Sequence, residues 1–326
     1  MVQPGWPGFG PEEDSADGGD DVAGVRRGMK QRRAELAMVA VTIVWGSTFV
    51  LIKEALADIS TILFLALRFS LAAIVLWFIY QKAVRTRSAG WKTLGPGALT
   101  GVLLFSAYAF QTAGLKLTTP SKSAFITGLS IPMVPLASSL VYRVKPRLME
   151  VVGILIASFG MGLMTLPAAG LGINLGDVLS LLCAVTFALH LVVVSHYTPI
   201  IGFESVSVLQ VVVAAGLGLM VFPVAERAVF HPNMAVVAAV AVTGLFATAF
   251  AFTTMTWAQQ YTTATRTALI CALEPVVAWL MSWWLTGETM PVRGQLGAGL
   301  ILGGIVLVEL KRPVSSETGG EAATSM

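Results

Sequence analysis

The chain has 326 residues, of which 56% are hydrophobic and 12% charged, with a formal net charge of +3 and a mean hydropathy of +0.78. Soluble domains carry roughly 25% charged residues, so a large aqueous domain is excluded, and the chain has room for about ten apolar spans of about twenty residues and little else. Three histidines and two cysteines provide no metal-ligand pair at helical spacing, and no zinc-protease, nucleophile-elbow or Walker sequence occurs, which argues against a membrane-embedded enzyme, against direct drive by ATP and against any cofactor.

Residues 1–33 read as a disordered cytoplasmic tail. It is rich in Gly and Pro and holds six acids, Glu12, Glu13, Asp14, Asp17, Asp20 and Asp21. Such a composition cannot bury enough apolar surface to order itself. It lacks the apolar core and small-residue site of a cleaved signal peptide. The basic cluster that follows, Arg26, Arg27, Lys30, Arg32 and Arg33, directly precedes the first apolar span. It is therefore a topology signal rather than a nucleic-acid site, and no nucleic-acid partner is expected.

Ten apolar stretches follow, at about 36–56, 61–80, 94–114, 121–142, 149–166, 175–196, 204–225, 234–257, 264–285 and 293–310. With the N-terminus in the cytoplasm, fifteen Lys and Arg residues fall on that side and five on the other, with Arg68 inside a helix. That bias is the positive-inside pattern, and an even number of spans returns the C-terminus, residues 312–326, to the cytoplasm.

The chain repeats itself. Thr100–Pro146 aligns without a gap on Thr243–Thr289 at a constant shift of 143, which places Pro132 on Pro275. The first helices of the halves align too, Glu35 on Asp177 and Trp45 on Phe187. Two halves with an odd number of spans each must have opposite orientations. The expected fold class is an all-α membrane protein of ten transmembrane helices in two inverted-topology five-helix repeats, residues 34–168 and 173–311. Repeats of this kind mark secondary transporters, whose site lies near the bilayer midplane between the halves.

Charge inside lipid costs about 2.5–3.5 kcal/mol at a helix centre on insertion scales, so each intramembrane polar group is a candidate for function. Glu274 precedes Pro275, whose ring bends the helix, and a carboxyl there could bind substrate or proton or hydrogen-bond neighbouring helices. His190 among Leu and Val is a proton-relay candidate whose plainer role is packing. Arg68 reads as an internally paired or snorkelling side chain, with substrate contact as the alternative. Lys122 and Arg266 begin the equivalent helices of the halves and read as helix-end anchors, with a gate as the sharper alternative. The cavity wall is assigned by helical spacing to Trp45 and Phe49 on helix 1, Phe105, Tyr108, Gln111 and Thr112 on helix 3, Ser123, Thr127 and Ser130 on helix 4, Phe187 on helix 6, and Phe250, Thr254 and Trp257 on helix 8. Gly299-x-x-x-Gly303 is a small-residue face read as intramolecular packing in preference to a dimer contact, so the expected state is a monomer or weak homodimer. Cys183 and Cys271 read as packing residues.

Three strings resemble the EamA-type branch of the drug/metabolite transporter superfamily: WGSTFVLIKEAL at the first helix, LALRFSLAAIVL with Arg68 at the second, and LEPVVAWLMSWWLTGE at 273–288. The resemblance covers about residues 34–311. It implies ten helices around a central cavity, alternating access, export of amino acids, amines or related compounds, and an inner (plasma) membrane location. In one respect the chain departs from an exact repeat: Ile131 stands where the second half has Glu274. The proposed substrate-contacting set is Trp45, Phe49, Tyr108, Gln111, Thr127, Phe187, His190, Thr254, Trp257 and Glu274. The expected partners are a small-molecule substrate, the lipid bilayer and protons as a coupling ion. A sugar-phosphate or nucleotide-sugar exchanger is the alternative, and a non-transporting receptor is the reading from another class.

Overall fold

In a bilayer each backbone N–H and C=O must find its partner within the protein, and helices achieve this locally. The computed structural model describes residues 19–87, 91–117, 123, 126–143, 145–165, 174–286 and 291–310. Among the described residues there is no strand, only an isolated bridge between Ile59 and Phe230. The helices are α1 (Gly19–Ala55), α2 (Thr61–Arg87), α3 (Trp91–Leu117), α4 (Ser130–Tyr142), α5 (Leu148–Thr165), α6 (Leu175–Ile201) and α7 (Phe203–Ala225). Then α8 (Met234–Gly244) passes through a π-helical turn, Leu245–Phe250, into α9 (Ala251–Ala258), followed by α10 (Ala264–Cys271), α11 (Glu274–Thr286) and α12 (Val292–Leu310). Six helical rods are long and apolar enough to cross a membrane, and three shorter apolar helices accompany them. Large apolar side chains cover the outside, among them Phe78, Leu140, Phe159 and Trp284, as a lipid solvent allows and water does not.

Three features depart from the sequence expectation. Helix α1 begins at Gly19, so the basic cluster, expected within a disordered tail, continues α1 instead. Its Arg, Lys, Gln and Met residues are good helix formers. The ninth span, expected to be continuous, breaks at Ala272–Leu273 between α10 and α11. Pro275 has no N–H for the carbonyl of Cys271 and its ring clashes there, which is where α10 ends. The equivalent Pro132 has a turn at Leu129 before it. The third departure is the π turn, considered below. Lys122, the stretch 166–173 and the 311–326 tail lie outside the described residues, as do residues 1–18.

The helices pair reciprocally between the halves. Where α3 packs on α6, the rod of α8 and α9 packs on α1; where α4 packs on α6, α10 and α11 pack on α1; where α3 packs on α7, α8 packs on α2. Helices α2 with α7, and α5 with α12, are their own counterparts. The glycines show the same relation at atomic scale. A Cβ on Gly101 would lie 2.7 Å from the carbonyl of Gln210, and one on Gly244 3.2 Å from that of Arg68. Gly101 and Gly244 are repeat equivalents, and Arg68 and Gln210 occupy equivalent places on α2 and α7.

At the α5–α12 contact, a Cβ on Gly304 would meet the Gly153 carbonyl at 2.6 Å, and one on Gly160 would meet the Gly297 carbonyl at 2.5 Å. Gly299 and Gly303 have nothing within 4 Å. The expectation of intramolecular packing for Gly299-x-x-x-Gly303 is thereby corrected: the faces that pack are those of Gly297 and Gly304, and the 299/303 face points outward. Overpacking costs about 1–3 kcal/mol, so Gly160→Val lowers the thermal unfolding midpoint of the detergent-solubilised protein by several degrees, whereas Gly299→Val leaves it in place. Equal midpoints for the two variants would contradict this arrangement.

Candidate functional site

The site is organised by the π turn. A wider turn offsets the helical hydrogen-bond ladder and frees a carbonyl for tertiary partners. The Ala247 carbonyl accepts from Trp45 Nε1 of α1 at 2.9 Å and from Arg68 Nη2 of α2 at 3.2 Å. Arg68 also donates through Nε to Thr248 Oγ1 at 2.6 Å and through Nη2 to the Tyr108 hydroxyl at 3.3 Å. The close approach of α2 at Gly244 lets this side chain reach the turn. Arg68 is 2% exposed, and its guanidinium carbon lies 4.5 Å from the centre of the Tyr108 ring. The expectation of snorkelling or an internal ion pair is corrected: Arg68 is central, and among the described residues no carboxylate pairs with it.

An aromatic cluster surrounds this point. The Phe252 ring centre is 5.4 Å from that of Trp45, 6.1 Å from Tyr108 and 5.9 Å from His190, and Tyr108 is 5.3 Å from Phe187. The edge and tilted geometries are those favoured by aromatic pairs. His190 is fully buried and hydrogen-bonds through Nε2 to Gln210 Oε1 at 2.8 Å.

Beside the cluster is a narrow crevice lined by Phe64, Arg68, Tyr108, Gln111, Thr112 and Ser123, among others. These residues lie where α1 ends and α2 begins, toward the end of the bundle remote from the N-terminal tail. Ser123 and Ser180 hydroxyls meet there at 3.0 Å. At the opposite, tail-side end, Arg266 is buried against two carboxylates, Glu35 at 3.3 Å and Glu150 at 3.6 Å. The expectation of a helix-end anchor for Arg266 is thereby corrected. Position 123 is the repeat equivalent of Arg266, so among the described residues an ion triad stands at one end and a pair of neutral hydroxyls at the other.

Of the residues expected to contact substrate, the structure brings together Trp45, Tyr108, Phe187 and His190, with Gln111 in the adjoining crevice. Glu274 starts α11 where Gly46 of α1 packs closely on its carbonyl, and its carboxyl is near enough to act electrostatically on Tyr108 and Cys183. Thr127 sits beside Cys183. Trp257 packs on Tyr261 instead, at 5.5 Å, and Thr254 is half-buried outside the aromatic cluster. The Phe49 side chain lies outside the described residues. Phe250 is 47% exposed, contrary to its expected place in the wall, because the π turn rotates the helix face and brings in Phe252. Gln210 was detectable as a lone amide in an apolar helix; Phe252 and Thr248 carried no such signal. Cys183 and Cys271 are free, as expected.

Comparisons with known proteins agree with this architecture. The model of the EamA-like transporter family matches residues 32–166 and again 174–310. An uncharacterised transporter of Archaeoglobus fulgidus is 32% identical, over 88% of this chain and 89% of its own length. The uncharacterised inner membrane transporter YedA of Escherichia coli K12 is 26% identical, over 84% of this chain and 90% of its own. A solved crystal structure superposes with a TM-score of 0.73 at 20% identity, over 86% of this chain and 97% of that one, a likeness of fold.

Removing one member of a buried ion pair costs about 3–5 kcal/mol because its partner is left uncompensated. Arg266→Gln strands two carboxylates and loosens the tail-side end. In a Cys183→Ser background, Cys271, one to two turns beyond Arg266 on the same helix, then reacts with a maleimide at least several-fold faster than with Arg266 intact. An unchanged rate in folded protein would show that the triad does not hold this end shut.

Proposed function

The chain belongs to the EamA-like transporter family, and on that premise we propose that it is a secondary transporter moving small metabolites such as amino acids, amines or related compounds by alternating access. It is a multi-pass membrane protein. In this reading ten spans form two inverted five-helix repeats, both termini face the cytoplasm, and the chain sits in the inner membrane as an exporter. The observation that carries the reading is the reciprocal pairing of the two halves around one buried polar and aromatic cluster. A cluster of Trp45, Tyr108, Phe187 and His190 with a few convergent polar groups suits a small organic ligand.

The asymmetric ends support alternation. The Arg266 triad seals the tail-side end while the crevice lies toward the other, so the conformation is one of a pair in which a ligand at the centre reaches one side at a time. Glu274, half-buried and without an ion-pair partner among the described residues, is the group assigned to proton or substrate-cation binding. Direct coupling to ATP has no place in this scheme.

The test is uptake of labelled amino acids and amines into proteoliposomes, with and without an imposed pH gradient. Saturable uptake of one class is expected. Glu274→Gln is expected to reduce the response to the gradient by tenfold or more while the protein stays folded. Absence of flux across the panel from folded protein would contradict the transport reading, and an unchanged pH response in Glu274→Gln would remove this role for Glu274.

A further inference from the structure

The two buried arginines among the described residues are satisfied differently. Arg266 has two carboxylates against it, whereas Arg68 has neutral partners among the described residues: the Thr248 hydroxyl, the Tyr108 hydroxyl and the Ala247 carbonyl. These bonds use Nε and Nη2. Nη1, with two further N–H donors, makes no hydrogen bond to any described residue, and Arg68 lines the crevice. A guanidinium is always charged and is rigidly forked toward planar anions. Buried without a counter-ion, it is incomplete in charge as well as in hydrogen bonds.

We propose that Arg68 is the specificity-determining residue of the transport site, binding the carboxylate of the transported molecule through its free Nη1 edge. The inference rests on the transport reading for what the crevice is, and adds which chemical group it selects and which side chain selects it. Gln111 and Ser123 stand on the same crevice wall and can donate to a carboxylate oxygen. The Tyr108 ring under the guanidinium and the π turn beyond it fix the orientation of the fork, so little is lost in ordering it when the anion arrives. A phosphate dianion is a poorer match. It calls for more than one cation, Arg68 is the one Lys or Arg among the described residues of the crevice, and Glu274 acts on the same Tyr108. A carboxylate brings one negative charge to one positive charge, and Glu274 remains to favour molecules that also carry an amine.

The experiment measures ligand-induced thermal stabilisation of the full-length protein in detergent. The probes are L-alanine, L-leucine and L-phenylalanine, each beside its methyl ester, with glycerol phosphate as a third arm. At least one acid is expected to bind tenfold or more tighter than its ester, which keeps the amine and loses the anion. Arg68→Lys, which keeps the charge without the fork, is expected to lose most of that preference, and Arg68→Gln all of it. Because Arg68 also braces the π turn, Gln111→Leu provides a variant in the crevice away from that turn, and it is expected to weaken acid binding several-fold and by more than it weakens ester binding. Equal affinity for acids and esters, no stabilisation by any acid, or tighter binding of glycerol phosphate would overturn the proposal. Flux of esters in liposomes without acid preference would leave the transport reading standing and remove this one. Acid-selective binding without flux would do the reverse.

Discussion

The carbonyl oxygen of Ala247 joins three helices at one point. It is available because a π turn interrupts the regular ladder of the 234–258 rod, and it is filled by the indole of Trp45 and the guanidinium of Arg68. Trp45 ties α1 to the turn, Arg68 ties α2 to it, and Arg68 reaches on to Tyr108 of α3. Helices in lipid have little hydrophobic force between them and associate through close packing and hydrogen bonds. A shared acceptor of this kind therefore sets where the aromatic cluster sits and how the first three helices meet the second half.

The backbone symmetry of the two halves is obeyed by the small residues and broken by the charged ones. Gly101 and Gly244 make equivalent approaches to α7 and α2. Between the repeats, Arg68 corresponds to Gln210, Glu274 to Ile131, and Arg266 to Ser123 next to Lys122. In the alternating-access reading proposed above, a symmetric scaffold gives two related conformations, open to one side or the other, and charges that differ between the halves among the described residues make those conformations unequal in energy. At the tail-side end, the buried triad of Glu35, Glu150 and Arg266 combines Coulomb attraction with a low-dielectric setting. At the other end, the Ser123–Ser180 contact is a neutral hydrogen bond of modest net worth, about 0.5–1.5 kcal/mol.

Much of this was legible in the sequence because its causes are local or periodic. The constant shift between Thr100–Pro146 and Thr243–Thr289 reveals the repeat, and the prolines at 132 and 275 mark the interruptions. Tyr108, Trp45, Phe187 and His190 could be named because they are large or polar residues in apolar helices. The π turn could not be read, since it changes hydrogen-bond register without an insertion or a proline to announce it, Gly244 before it has a counterpart, Gly101, inside a regular helix, and the 143-residue alignment runs through it unbroken. Helical spacing then assigned Phe250 to the wrong face. Two of the glycines in α12 were likewise given to the wrong neighbour, because a helix with small residues at 297, 299, 303 and 304 offers two close-packing faces and only tertiary contact decides between them. The partners of Arg266 are 231 residues away at Glu35 and 116 residues away at Glu150 (266 − 150), distances over which no local pattern speaks.

The central claim is that the two ends of the bundle open alternately about one site. Distances between spin labels on the liposome-reconstituted protein test it most directly, with one pair at the tail-side end on Arg147→Cys and Gln260→Cys and another at the far end on Leu117→Cys and Phe230→Cys, in a background lacking Cys183 and Cys271. The account predicts two distance populations at each end whose weights shift in opposite directions when a transported compound is added. A single, unresponsive distance at both ends, in protein that carries out flux, would contradict it.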